Sequence, residues 1–148
     1  MDTLNLQVGA LRWLDSLPFR GRKVPAHLST GLRGEREALF ELRRRAYTIV
    51  ARRWTSGLVV GDVDLIAWHE DRLCFIEVKT RTARDNAPAE SAIDDRKRRV
   101  LRGLARVYVR RFPRKLREDV RVRFDVVSVY LLSTGIEIEI FPSAFLQD

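Results

Sequence analysis

The sequence is short of most features that would assign a function directly. One cysteine, Cys74, in 148 residues rules out an intrachain disulfide and leads us to expect a reducing, cytoplasmic setting. The longest uninterrupted apolar stretches are a few residues, as in VYLL at 129–132, far short of a membrane span. The start MDTLNLQV has no basic segment followed by an apolar one, so no signal peptide is expected. The two histidines, His27 and His69, lack ligand spacing to each other. There is no P-loop, no Rossmann glycine pattern and no G-x-S-x-G elbow. No repeat or low-complexity tract appears.

What the chain has in excess is positive charge. A net +8 and an isoelectric point near 10.5 attract polyanions at long range and favour binding to nucleic acid. The charge is uneven: from Arg96 to Arg123 there are thirteen basic residues against Glu118 and Asp119, a net +11. An arginine-rich composition could by itself decorate a solvated face, but local clustering is harder to explain that way. The length suits one domain with a real core. Residues 1–30, with scattered apolar positions, Pro18 and Pro25, are expected to be an extension with a short helix around Leu11 to Leu17. Residues 31–148 are expected to form the folded domain.

Within that domain, residues 32–46 have helical period, with Leu32, Leu39, Leu42 and Ala46 on one face. YTIVARRW at 47–54 is rich in β-branched and aromatic residues and predicts a strand. Two more strands follow at about 63–69 and 73–80, joined by a polar turn from His69 to Arg72. A loop at 82–88 leads to a long helical pattern from Ala89 to Arg111, which Pro113 closes. Strands at 120–132 and 136–141 flank a turn at 133–135. Helix, three strands, helix and two strands predict an α/β domain with a mixed central β-sheet flanked by helices.

The two central strands carry charges where a core would want none. Leu73, Phe75, Glu77 and Lys79 share one strand face; Cys74, Ile76 and Val78 share the other. A two-residue turn at Glu70-Asp71 would place Asp64 opposite Glu77, whereas a three-residue turn would place it against Ile76. Opposed carboxylates on adjacent strands would repel by ~3 kcal/mol at an effective dielectric of about 20, so something positive should lie between them. Lys79 is one candidate, in a simple salt bridge with Glu77. A hard divalent cation such as Mg²⁺ is the better one. Lys97 falls inside the apolar stripe of Ile93, Val100, Leu101, Leu104 and Tyr108, and Glu35 falls inside that of the first helix. Buried charges need partners, and inward charges from two helices and two strands suggest one shared polar site. Arg99, Arg102, Arg106 and Arg110 lie on the opposite side of the second helix, available to solvent or phosphate.

GLRGEREALFELRRRAYTIVARRW, GDVDLIAWHEDRLCFIEVKTR, AESAIDDRKRRVLRGLARVYV, RFDVV and PSAF together resemble the bacterial YraN-type family, over about residues 31–146. That family is assigned to the restriction-endonuclease-like PD-(D/E)XK superfamily and is similar to archaeal Holliday-junction resolvases. The resemblance implies a nuclease-like domain in which Asp64, Glu77 and the Val78 backbone carbonyl ligate Mg²⁺, with Mn²⁺ as a substitute. It also implies that Lys79 positions the attacking water and offsets charge on the scissile phosphate, with Glu35 and Lys97 completing the catalytic set. Val63 stands where the superfamily name has proline, Asp62 where the family usually has glutamate, and DNAP in place of a glycine-containing loop.

The function expected is therefore metal-dependent hydrolysis of phosphodiester bonds in DNA, on branched or structured DNA by analogy with the resolvases. Arg81, Arg99, Arg102, Arg106 and Arg110 would contact the nucleic acid, and no membrane is involved. Cutting two strands symmetrically would favour a homodimer. The rivals are a non-catalytic nucleic-acid-binding protein of the same fold and a module whose basic helix meets an acidic partner. Asp125 is expected to pair with an arginine such as Arg123 or Arg81, and Trp68 to pack in the core.

Overall fold

The computed structural model describes residues 25–84, 91 and 93–147. The short helix expected around Leu11 to Leu17, most of the expected extension and the segment 85–90 lie outside the described residues. The first helix, α1 (Ala26–Arg44), begins directly behind Pro25, six residues ahead of the expected start. It stops because Ala46 takes a left-handed conformation (φ 64). The Ala46 and Tyr47 amides then turn back onto the carbonyls of Arg43 and Leu42, at 3.1 and 3.0 Å, a closure common at helix ends. Ala46 is thus past the helix rather than on its apolar face. Leu32 leaves that face too, at 41% exposed. The buried residues of α1 are Gly34, Ala38, Leu39, Phe40 and Leu42.

Five strands follow: β1 (Thr48–Thr55), β2 (Asp62–His69), β3 (Arg72–Arg81), β4 (Arg121–Leu132) and β5 (Gly135–Phe145). Between β3 and β4 lie α2 (Asp95–Val109) and a single turn, α3 (Arg114–Arg117). The sheet order is β1-β2-β3-β4-β5. Every pairing is antiparallel except β3 with β4, which is parallel and reached by the crossover through α2. The fold is α/β with a mixed sheet between helices, as in restriction-endonuclease-like proteins.

The sheet alternation separates two apolar layers. Leu65, Ala67, Cys74, Ile76, Val127 and Val129 pack under α1 with Ala38, Leu39 and Leu42. Ile66, Leu73, Phe75, Phe124 and Val126 pack under α2 with Leu101 and Leu104. Each fully buried Leu, Ile or Phe contributes roughly 1.5–3 kcal/mol, so β2 and β3 are anchored on both faces and can bear charges at one end. Cys74 is part of the layer under α1, and Trp68 packs edge-on against Phe112. The one fully buried carboxylate of the described core, Asp125, is held by Arg123 through two bonds of 2.8 Å and by the Ser143 amide at 3.0 Å. Arg123 also bonds the Tyr47 hydroxyl, and His69 stacks on the Tyr47 ring. Asp125 is therefore a structural knot joining β4 and β5 to Tyr47, the residue just ahead of β1. Among the described residues, no helix is long and apolar enough to cross a membrane.

Candidate functional site

The turn between β2 and β3 decides the register. His69 pairs with Arg72, leaving Glu70 and Asp71 as a two-residue loop in which Glu70 takes φ 54. Counting back along this register puts Asp64 opposite Glu77. The ladder ends one step earlier, at Leu65 with Ile76, while β3 continues beside β4 as far as Arg81. At this end of the β2–β3 ladder the Asp64 side chain replaces a backbone partner: its Oδ2 accepts the Val78 N–H at 2.8 Å. The strands part there, and a cleft of about 500 Å³ opens, lined in part by Glu35, Asp62, Asp64, Glu77, Val78 and Lys97.

Two ammonium groups serve the Glu77 carboxylate, Lys97 from the cleft lining and Lys79 from outside that lining. Lys79 Nζ lies 3.2 Å from Glu77 Oε1, and Lys97 Nζ lies 3.1 Å from Glu77 Oε2. Lys97 donates to the Asp62 carbonyl at 2.9 Å and sits 3.5 Å from the Asp62 carboxylate. Glu77 Oε2 is buried, and its polar contact is the ion pair with Lys97. Helix α2 aims Lys97 inward because Asp94 caps it, accepting the Lys97 backbone N–H at 2.8 Å. Burial alone would lower the Lys97 pKa, but the charge of Glu77, with Asp62 and Asp64 behind it, raises it instead. Lys97 is thus a firmly protonated cation.

Asp64 behaves in the opposite sense. Burial, and next the Glu77 charge, push its pKa up to about 7, against the pull of the Val78 amide bond. Such a carboxylate lacks enough positive charge around it. Two carboxylates and the Val78 main chain on one cleft suit a hard divalent ion that keeps several waters. Among the described residues, no three His, Cys, Asp or Glu side chains converge as a complete metal cage, so a small set of protein ligands is the most this cleft offers.

The remaining expected residues divide. Glu35 reaches the cleft because Gly34 lets α1 press onto β3: a Cβ at Gly34 would lie 1.7 Å from Thr80 Oγ1. Its carboxylate, however, bonds Arg53 Nε at 2.8 Å rather than joining Asp64 and Glu77. Arg81 closes β3, half-buried and already engaged, and does not line the cleft. Arg99, Arg106 and Arg110 are exposed as expected. Arg102 is not available in that way: its guanidinium donates to the Leu146 carbonyl at 3.0 and 2.9 Å and covers the Phe145 ring. The chain end after β5 folds back over α2, which a helical wheel cannot show.

Sequence reasoning missed Arg53 and undervalued His27 and Asp62. Asp62 shares the face of Asp64 by simple alternation, so that signal was present. Arg53 could not be placed, because the β1–β2 register slips between Ile49 and Ala51 and Arg53 itself takes φ 44. His27 enters the cleft only because α1 begins earlier than its pattern suggests.

Comparison with known proteins is consistent throughout. The model of the family described as Uncharacterised protein family UPF0102 matches residues 34–129. A UPF0102 protein of Koribacter versatilis (strain Ellin345) is 51% identical over 137 residues, covering 93% of this chain and 92% of the relative. One from Solibacter usitatus (strain Ellin6076) is 42% identical over 130 residues, covering 86% and 92%. One from Porphyromonas gingivalis (strain ATCC BAA-308 / W83) is 40% identical over 109 residues, covering 74% and 76%. With a family match across most of the folded domain and relatives this similar over most of their length, the chain belongs to the UPF0102 family of YraN-type proteins.

Proposed function

We propose that this protein is a metal-dependent nuclease that hydrolyses phosphodiester bonds in DNA. The observation that carries the reading is the pair Asp64 and Glu77 at the open end of β2 and β3. One carboxyl has its pKa raised to about 7 by burial and by the other, which is itself buried beside it. Asp64, Glu77 and the Val78 carbonyl would hold Mg²⁺ or Mn²⁺, which would supply an acidified water and offset charge growing on the phosphate. Lys79, half-exposed beside Glu77, offers its ammonium to a phosphate oxygen and orients the attacking water; it serves as donor and charge rather than as a base. Lys97 holds Asp62 and Glu77 in place from α2. Glu35 stands at the cleft rim, fixed by Arg53.

A second reading has one observation in its favour. Lys79 and Lys97 between them already place a positive charge beside each Glu77 oxygen, an arrangement that a DNA-binding protein without cleavage could keep as a plain ion-pair cluster. The two readings separate on incubation with Mg²⁺ or Mn²⁺ and a panel of linear, single-stranded, flapped and four-way DNA. Cleavage that Asp64→Asn and Glu77→Gln each reduce by at least about a hundredfold is expected. Wild-type protein that binds the panel but cuts none of it, or variants that cut as well as wild type, would leave the binding reading.

A further inference from the structure

Beside the carboxylate cleft lies a second depression of about 260 Å³, walled by His27, Leu28, Gly31, Leu32, Glu35 and Arg53. The two are continuous, since His27, Gly31 and Glu35 line both. Leu28 and Leu32 are four residues apart on α1 and are 52% and 41% exposed. They form an apolar ridge on a helix whose core-facing residues are elsewhere. A solvated helix face gains nothing from two leucines in register.

Arg53 adds the second observation. It lies within β1 in a left-handed conformation, φ 44, which a non-glycine residue adopts rarely and at a cost that recurs around functional sites. By the β1–β2 register, Arg52 with Leu65 and Trp54 with Val63, it falls opposite Asp64. Its guanidinium turns to Glu35 at 2.8 Å and remains half-exposed. The depression therefore combines two exposed leucines, an imidazole and a planar cation, directly beside the carboxylates.

Those are groups that can receive an unpaired base: apolar side chains against it, with Arg or His planes to stack on and donors for ring edges. A base still paired within a duplex cannot enter such a recess. We infer that this depression receives one unpaired nucleobase from the strand whose phosphate occupies the carboxylate cleft. The substrate class is then nucleic acid with an unpaired nucleotide next to the cut. This rests on reading the larger cleft as the phosphate site; the occupant is favoured over a second copy of the chain by the continuity with that cleft and by the arginine at the rim.

The test is binding without cleavage. Fluorescence anisotropy in EDTA compares a blunt DNA duplex with the same duplex carrying a short unpaired overhang, for wild type, Leu32→Gln and Arg53→Gln. Wild type is expected to prefer the overhang by about tenfold, a modest stacking contribution, and both variants should bring that ratio near one. Equal affinities in wild type, or a ratio that survives both substitutions, overturns the inference. So does a change from dimer to monomer on Leu32→Gln in sedimentation, which would give the ridge to a second copy. Cleavage plays no part here, so a chain that keeps the ratio yet never cuts in Mg²⁺ sinks the hydrolase reading alone.

Discussion

At the scale of single residues, Asp64 is the most informative group in the molecule. Its carboxyl binds a proton more tightly in the folded chain than in the unfolded one, because burial and Glu77 raise its pKa from the usual carboxylate range to about 7. Its effect on folding is therefore most favourable below about pH 4 and declines as the pH rises, with the loss complete above pH 7. Asn at this position keeps an oxygen for the Val78 amide and cannot ionise. Asp64→Asn should therefore be more stable than wild type at pH 8, on the order of 3 kcal/mol, and equal to it near pH 4. Urea unfolding across this range checks the prediction; parallel pH curves for the two proteins would refute it. The same frustration makes the site responsive to cations. Mg²⁺ or Mn²⁺ should raise the wild-type melting temperature at pH 8 more than at pH 6, by the mass action of a ligand that needs the ionised carboxyl. That increment should vanish in Asp64→Asn.

At the scale of elements, the site exists because α1 comes unusually close to β3. Gly34 has Thr80 Oγ1 1.7 Å, and Thr80 Cβ 2.7 Å, from where a side chain would begin. Gly34→Ala would normally favour a helix, by up to ~1 kcal/mol. Here the methyl must push α1 away from the sheet, and overpacking costs typically ~1–3 kcal/mol. We expect a net loss of stability and a larger loss of any cleft function, since Glu35 moves with the helix. Thr80→Ala should recover part of it, because only the hydroxyl and methyl of Thr80 are removed. A thermal-melt cycle of the two single variants and the double variant reads the coupling; additive effects would mean that the contact is slack. The strands themselves were legible. Apolar residues on both faces marked β2 and β3 as central, and alternation put Glu77 and Lys79 on one face. Ile93, Leu101 and Leu104 marked Lys97 as inward. What stayed hidden depends on contacts distant in sequence. Helix α1 starts at Ala26 without a polar cap to announce it. It ends on a left-handed alanine where glycine would have been the signal. The irregular β1 backbone sends Arg53 to Glu35, and the return of the chain after β5 occupies Arg102.

At the scale of the whole molecule, the net charge of +8 is organised by α2. One side of this helix sends Lys97 into the carboxylate cleft, while Arg99, Arg106 and Arg110 face solvent. The exposed side, turned away from the cleft, is where a polyanion would be held by general attraction. Each phosphate neutralised by such a side chain releases condensed counterions, so the logarithm of affinity falls with the logarithm of salt by about 0.9 per contact on duplex DNA. Replacing Arg99, Arg106 and Arg110 together with glutamine should flatten that slope by about 3 if all three contact phosphate. Arg102→Gln should leave the slope as it is and lower the melting temperature, because Arg102 holds the Leu146 carbonyl and the Phe145 ring. Anisotropy titrations of one duplex over a KCl series give both slopes. An unchanged slope in the triple variant would remove α2 as the phosphate track. A slope lost in Arg102→Gln instead would mean that the end of β5 gives way when DNA binds.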